Sequence, residues 1–412
     1  VNNLEKKQFC NTAVLGLTKL LMEKIAVFDH SALLERLMEL NERLIRNREF
    51  DKIQTTAQIF CFGHDEEKLQ KILQNERGLV NTSISTRCLI EFLVNHPAKG
   101  THRPSYDDLD ELLAIMNEIL NFGMLSDAIH FGMAAPEMGL LPSGRIGISK
   151  EFYDDKLLPF RRDNTRANIE SQLEYFSNHF DTYRPAGEDP EYKEYYDVVD
   201  KAFLEDWGIE FANLIGICFQ ATSFAEKRES SVISMLEKEL VAELHKVMPM
   251  AGEQLERGLV KLSLMEDTRA INVEKGYSDK EHFPWKYNRE FSYARRPFII
   301  VDTEEGRRYY WGMRNCISAS RFLNHLLGSG RLNHGGPKIE SLLGEIRERN
   351  GKNFRNAVAT WLADNTALKV WEHEVTLKPN GHLAADKDYG DCDVLAYDSH
   401  NNVVCNLECK QT

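Results

Sequence analysis

Acidic side chains and a lysine are concentrated at the C-terminal end of the chain. Two apolar-rich runs, 391–397 and 403–409, flank the polar stretch 399–402, which is the pattern of a β-hairpin. If 399–402 is the loop, Asp398 faces Val403, and the same register places Asp393 opposite Glu408. Directly opposed residues have Cβ atoms roughly 4.5–5.5 Å apart. The sequence therefore predicts a close pair of carboxylates.

Strand alternation sorts the hairpin into two faces, because residues two apart point the same way. One face carries the charged residues Asp391, Asp393, Glu408 and Lys410. The other face is small or apolar and is expected to be buried; its members are Cys392, Val394, Ala396, Cys405, Leu407 and Cys409. Opposed like charges destabilise a sheet, and a hard divalent cation would offset them.

This arrangement suits the hydrolysis of a phosphodiester bond. Asp393 and Glu408, with Asp391 as a further candidate, are the predicted ligands of Mg²⁺ or Mn²⁺. A bound metal ion polarises the phosphate and lowers the pKa of a water molecule. Lys410 is the predicted catalytic lysine, which orients that water or offsets developing charge. The alternative is a surface hairpin with an ordinary Glu408–Lys410 ion pair.

The motif Gly-Asp-x-Asp-Val-Leu-Ala followed by Glu-x-Lys resembles the PD-(D/E)XK, or restriction-endonuclease-like, superfamily. The resemblance covers about residues 339–412. It implies that Asp393 and Glu408 bind the metal ion and that Lys410 is the catalytic lysine. It also implies an α/β domain with a mixed sheet and a role as a nuclease, with DNA as the expected substrate.

Two features depart from that pattern. Many members of the superfamily carry a glutamate on the preceding helix after Gly-x-x-Phe, whereas here Phe354 is followed by Arg355. Glu345 or Glu348, on the same predicted helix, is the substitute considered for a third acid. The sequence also stops two residues after Lys410, so the sheet is expected to be incomplete or completed by another element.

The elements ahead of the hairpin predict a mainly α-helical N-terminal region followed by an α/β domain. Residues 1–280 are predicted to form helices, in one or two bundles with a break near 140–190. This region is expected to serve as a scaffold, a sensor or a protein-binding region. A helix is expected to start at Ser105, with Asp108 in a capping box, and to end at Gly123. Residues 281–335 predict two strands and a helix. Residues 336–412 predict the nuclease-like core, with helices over 339–349 and 354–362 and strands over 369–377, 391–397 and 403–409.

Charge is distributed unevenly. The chain has 51 basic and 64 acidic residues, a net charge of −13 that argues against a protein that coats nucleic acid. Residues 286–355 nevertheless contain 14 basic and 7 acidic residues, a local balance of +7. Arginines interleaved with aromatic residues in this segment could contact a phosphate backbone, although a solvated basic surface is an equal alternative. The predicted nucleic-acid-binding residues are Arg295, Arg296, Arg307, Arg308 and Arg314.

Composition narrows the class of protein. The 8 cysteines include no CxxC pair, which favours a reducing, cytoplasmic environment, and no signal-peptide pattern or membrane-length apolar run is evident. A metal-dependent nuclease with a helical accessory region, in a restriction, repair or defence role, is therefore the leading hypothesis. The alternatives are a non-catalytic helical interaction protein with a degenerate nuclease-like module, and a nucleic-acid-binding module without catalysis.

Overall fold

The computed structural model describes residues 2–62, 65–132, 137–140, 142, 146–148, 190–265, 283–286, 289–371, 375–376 and 391–409. These divide into two compact units, Val1–Leu323 and Asn324–Thr412. A mainly helical N-terminal region precedes an α/β C-terminal part, which confirms the predicted fold class.

The first unit begins with four long helices, followed by a small strand pair and two further helices. Their bounds are α1 Asn3–Ile25, α2 His30–Phe62, α3 Glu66–Asn95, α4 Tyr106–His130, β1 Met138–Leu140, β2 Ile146–Ile148, α5 Pro190–Trp207 and α6 Phe211–Lys227. Apolar residues of α1 to α4, including Leu33 and Leu37, form one buried cluster. This cluster also takes in Leu264, Tyr293, Ile299 and Tyr310, so the helices and the sheet that follows share a core.

That sheet has four strands in the order β3-β6-β5-β4. The bounds of this part are β3 Val232–Leu236, α7 Glu237–Val247, α8 Gly252–Lys261, β4 Ser263–Leu264, β5 Phe298–Thr303, β6 Gly306–Gly312 and α9 Met313–Gly328. The two strands expected within 281–335 thus pair with strands from the region expected to be helical, β6 antiparallel to β3 and β5 parallel to β4. The first unit extends to Leu323, beyond the predicted boundary at residue 280.

The second unit contains a long helix and short strands. The bounds are α10 Pro337–Asn365, β7 Lys369–Val370, β8 Val375–Thr376, β9 Asp391–Cys392, β10 Val394–Asp398 and β11 Val403–Leu407. Strands β11, β10 and β7 form an antiparallel sheet in that order, and β8 pairs with β9 separately. Helix α10 contacts β7 and β10.

The helix that starts at Ser105 has the predicted capping box with Asp108, but the predicted end at Gly123 is wrong. The helix continues to His130, and Gly123 is needed for packing instead. A Cβ atom at this position would lie 2.4 Å from the ring of Trp285. Glycine is therefore retained here because an aromatic ring occupies the space of a side chain.

The two helices predicted over 339–349 and 354–362 are one continuous helix, α10. A single glycine lowers helix stability by only about 1 kcal/mol, so Gly351 does not end it. Asn350 also lies within the helix, where its Nδ2 donates to the Gly328 carbonyl oxygen at 2.8 Å. Local stop signals were outweighed here by the continuity of the helix on either side.

Candidate active site

The hairpin loop is fixed by Asp398. Its Oδ1 accepts hydrogen bonds from the backbone N–H groups of His400 (2.8 Å) and Asn401 (3.2 Å), and its Oδ2 accepts from Asn401 Nδ2 at 2.6 Å. These bonds hold the pKa of the Asp398 carboxyl below its usual value, the side chain of Asn401 contributing most. Asn402 adopts a positive φ of 54°, a conformation that asparagine tolerates well. The loop chemistry thus selects the strand register.

The predicted register is confirmed from Asp398–Val403 to Val394–Leu407, and the expected pairing of Asp393 with Glu408 stays a prediction. Asp398 pairs with Val403, and the ladder continues to Val394 opposite Leu407. The next positions along the two strands are Asp393 and Glu408. Asp393 is half-buried and Glu408 is exposed. Two acidic residues therefore adjoin the last paired residues of the hairpin, one on each arm.

The strand predicted over 391–397 is interrupted at Asp393, which is a correction. Asp393 lies between β9, which pairs with β8, and β10, which pairs with β7 and β11. Its Oδ2 accepts a hydrogen bond from the backbone N–H of Cys409 at 2.7 Å. The carboxylate thus takes the place of a backbone acceptor where the ladder ends, so β11 stops at Leu407 rather than at residue 409. This bond holds the Asp393 side chain against the second strand.

The opposite face of the hairpin is apolar, as predicted. Cys392, Val394 and Ala396 are buried, with relative exposures of 3%, 0% and 0%. Cys405, Leu407 and Cys409 on the neighbouring strand are half-buried. Burial raises the pKa of the Cys409 thiol, the negative charge of Asp393 raises it further, and the positive charge of Arg355 lowers it. The covered face therefore anchors the hairpin.

The remaining predicted site residues are the acids Glu345, Glu348 and Asp391 and the lysine Lys410. Glu345 and Glu348 are exposed on α10, and Glu348 is paired with Lys352 at 2.6 Å. Asp391 contributes its backbone to β9, opposite Thr376, and Lys410 lies outside the described residues. Within the described part of the chain, no group of three or more His, Cys, Asp or Glu side chains is arranged to hold a metal ion.

The donor chemistry at the hairpin nevertheless fits a hard divalent cation. Asp393 and Glu408 offer carboxylate oxygens next to the paired ends of β10 and β11, and oxygen ligands are those that Mg²⁺ and Mn²⁺ prefer. The hydrogen bond from Cys409 orients one of the two carboxylates before any ligand binds. These two residues are the ones that would hold the metal ion.

Two of the predicted nucleic-acid-binding arginines are buried. Arg295 and Arg296 have relative exposures of 4% and 7%. Arg296 donates to the carbonyl oxygens of Ser263 and Glu290 and forms a 2.8 Å ion pair with Glu290 Oε1. This placement corrects their assignment, because a buried guanidinium group cannot reach a phosphate backbone in this conformation. The contacts of Arg296 join β4 to the segment that precedes β5.

The other three arginines are more accessible. Arg307 pairs with Glu237 at 3.2 Å and Arg308 with Glu305 at 3.0 Å, both at the β5–β6 hairpin. Arg314 is half-buried at the start of α9. Neighbouring acids partly offset the charge of the first two, so a nucleic-acid-binding role for these residues stays a prediction.

A comparison with protein families gives a match along almost the whole chain. The family described as anti-phage protein Upx-like matches residues 4–412. The chain belongs to the Upx-like family of anti-phage proteins. Membership indicates a role in defence against phage, which agrees with one of the roles expected from the sequence. No curated protein and no solved structure matches the chain.

Family membership covers both units, so the helical first unit belongs to the same defence protein as the hairpin. One helix in the described part of the chain, Tyr106–His130, is long and apolar enough to cross a membrane by length and composition. More than half of the apolar 18-residue stretch of this helix is buried inside the protein. Its burial is that of a core helix, and the cytoplasmic location stays a prediction.

Proposed function

We propose that this Upx-like protein is a metal-dependent nuclease that hydrolyses phosphodiester bonds of nucleic acid, with DNA as the expected substrate, during defence against phage. The observation that supports the proposal is that Asp393 and Glu408 adjoin the last paired residues of the hairpin, with Asp393 bonded to the backbone N–H of Cys409. Lys410 follows Cys409 directly in the sequence. An acid pair and a lysine at one hairpin end are the groups that metal-assisted hydrolysis needs.

Each residue has a distinct role in the proposal. Asp393 and Glu408 hold Mg²⁺ or Mn²⁺, and the bound ion supplies a Lewis acid and a more acidic water molecule. Lys410 lies two residues after Glu408 in the sequence, a spacing that would put both on one face of an extended segment. Its ammonium group has three donors and no acceptor, so it orients the water or offsets charge on the phosphate rather than binding metal.

The mainly helical first unit would serve a sensing or partner-binding function in this proposal. A defence nuclease must be restrained until infection, and a protein partner acting through residues of the first unit would supply that control. Accessible arginines at the β5–β6 hairpin, Arg307 and Arg308, would add contacts to a nucleic-acid backbone.

The test is a cleavage assay on the full chain with plasmid DNA, linear DNA and RNA, each with Mg²⁺, Mn²⁺ or EDTA. Lys410→Ala should lower turnover by about 10²-fold or more while metal binding is kept, because the lysine acts on developing charge. Asp393→Asn should also weaken metal binding, measured by calorimetry, since a negative ligand is removed. Asp364→Asn, at an exposed carboxylate on α10, is the matched control and should behave like the parent.

Two results would count against the proposal. If Lys410→Ala and Asp393→Asn cleave like the parent, the cleavage does not come from this hairpin. If the parent cleaves none of the substrates with any metal, the chain acts as a non-catalytic interaction protein under these conditions, and the nuclease proposal is rejected.

A further inference from the structure

Arg355 heads a half-buried stripe on an otherwise exposed stretch of α10. The neighbouring residues Asn353, Phe354 and Asn356 are exposed, whereas Arg355 is half-buried. The half-buried positions continue at helical spacing with Val358, Leu362 and Thr366. Since α10 contacts β7 and β10, this stripe is the face that α10 turns towards the sheet.

The chain geometry places Arg355 level with Asp393. The chain leaves α10 at Asn365 and enters β7 at Lys369, so it turns back within a few residues, and Lys369 pairs with Tyr397 of β10. From Tyr397 back to Asp393 is about 14 Å along a strand that rises roughly 3.4 Å per residue. From Asn365 back to Arg355 is about 15 Å along a helix that rises roughly 1.5 Å per residue. The two distances bring Arg355 to the Asp393 end of the sheet.

Asp393 is held at this end of the sheet, because its Oδ2 accepts a hydrogen bond from the backbone N–H of Cys409 at 2.7 Å. A guanidinium group thus accompanies the two carboxylates at the hairpin end.

We propose that Arg355 binds a phosphate oxygen of the nucleic acid at this site, an inference that rests on the nuclease function proposed above. Two carboxylates alone repel a phosphodiester, so a fixed cation near them favours substrate binding. The planar guanidinium group can donate two parallel hydrogen bonds to a phosphate, which a lysine cannot match. The superfamily that the hairpin resembles often has a glutamate at this place on the helix, so the arginine adds a positive charge where a third acid was expected.

The experiment measures binding and cleavage separately on the full chain. Binding of a fluorescent DNA oligonucleotide is followed by anisotropy in EDTA and in Ca²⁺ over a salt series, and cleavage kinetics are measured in Mg²⁺. The variants are Arg355→Ala and Arg355→Lys. Lys352→Ala is the matched control, because Lys352 is an exposed cation one turn earlier that is already paired with Glu348.

Arg355→Ala should weaken DNA binding and raise KM about tenfold, and it should reduce the slope of log K against log salt by about one unit, since one phosphate contact is lost. Arg355→Lys should recover part of the affinity and the full salt slope. Lys352→Ala should change neither. The melting temperatures of all three variants should stay near that of the parent.

Other outcomes overturn the inference and are distinguishable from failure of the nuclease proposal. If Lys410→Ala abolishes cleavage but Arg355→Ala leaves KM and the salt slope unchanged, only the role of Arg355 is rejected. A lower melting temperature with unchanged binding per folded molecule assigns Arg355 a structural role and rejects it as well. If the parent binds DNA through Arg355 but never cleaves, the nuclease proposal fails and the phosphate contact stands. If the parent neither binds nor cleaves, both are rejected.

Discussion

Glu42 provides the sharpest test of how the first unit is held together. It lies on α2 with a relative exposure of 2%, and its carboxylate accepts the backbone N–H groups of Arg314 (2.8 Å) and Asn315 (2.9 Å). These are N–H groups of the first turn of α9, which the residue before the helix, Gly312, cannot cap with a side chain. A carboxylate from another helix therefore caps α9, and the helix dipole favours its negative charge.

The expected effect of Glu42→Ala follows from these contacts. It leaves one buried and one part-buried N–H group without an acceptor, at about 1–3 kcal/mol each, and removes a favourable charge at the helix terminus. A total of about 3–5 kcal/mol is expected. The entropy of unfolding is about 2.1 cal/mol/K per residue, which is roughly 0.7 kcal/mol/K for a unit of this length. The melting temperature of the first unit should then fall by about 4–7 °C.

Differential scanning calorimetry of the parent and variants measures this shift. Glu42→Gln keeps the volume and one acceptor oxygen but loses the charge, so its effect should be intermediate. The control is Glu39→Ala on the same helix, whose exposed ion pair with Arg36 is worth at most about 1 kcal/mol. A decrease of less than about 1 °C for Glu42→Ala, or equal effects at positions 42 and 39, would refute the argument that this carboxylate caps α9.

Three further predictions concern other parts of the molecule. Gly123→Ala should lower the free energy of unfolding in urea by about 1–3 kcal/mol, because the alanine Cβ would meet the ring of Trp285. This cost should outweigh the higher helix propensity of alanine. A more stable variant would mean that the ring moves freely. Under native conditions a thiol reagent at pH 8 should modify the exposed Cys61 much faster than the buried Cys10. Burial raises the pKa of the Cys10 thiol to about 11, and only the thiolate reacts. The rates are measured by mass spectrometry of the peptides, and equal rates would contradict this prediction. Replacing both Arg307 and Arg308 by Glu should weaken DNA binding and flatten its salt dependence while the fold is kept, and unchanged binding at low salt would show that this segment is only a solvated surface.

Local signals in the sequence predicted local structure well. The capping box at Ser105 and Asp108 and the hairpin register around Asp398 depend on residues three to five apart, and both are present in the structure. The two predicted ends that failed, at Gly123 and Gly351, also used local signals, but packing or helix continuity outweighed them. A glycine marks the end of a helix only where neither packing nor the continuity of the helix on both sides keeps it inside the helix.

Long-range pairing could not be read in the same way. The sequence suggested β5 and β6 as strands but gave no indication that β6 pairs with β3, about seventy residues earlier. The alternation of apolar and polar residues identifies a strand but does not show which other strand it pairs with. For the same reason Arg295 and Arg296 looked like surface cations, whereas Glu290 and the Ser263 carbonyl oxygen hold Arg296 inside. Burial of a charged residue depends on which partners the fold brings to it.

The end of the C-terminal hairpin explains how a sheet can tolerate two opposed carboxylates. Within a ladder, like charges face each other at a distance fixed by backbone hydrogen bonds, and the repulsion destabilises the pairing. Here the last paired residues are Val394 and Leu407, and the acids follow at the next position, where the backbone is released from the ladder. The Asp393 carboxylate then accepts a hydrogen bond from the N–H of Cys409. A neutral acceptor of similar size would form a weaker bond, because it carries no charge. The buried side chains on the other face keep the strands together up to that point. Because the backbone N–H of Cys409 holds the Asp393 carboxylate, a cation that binds at this end of the hairpin would find one acid already oriented.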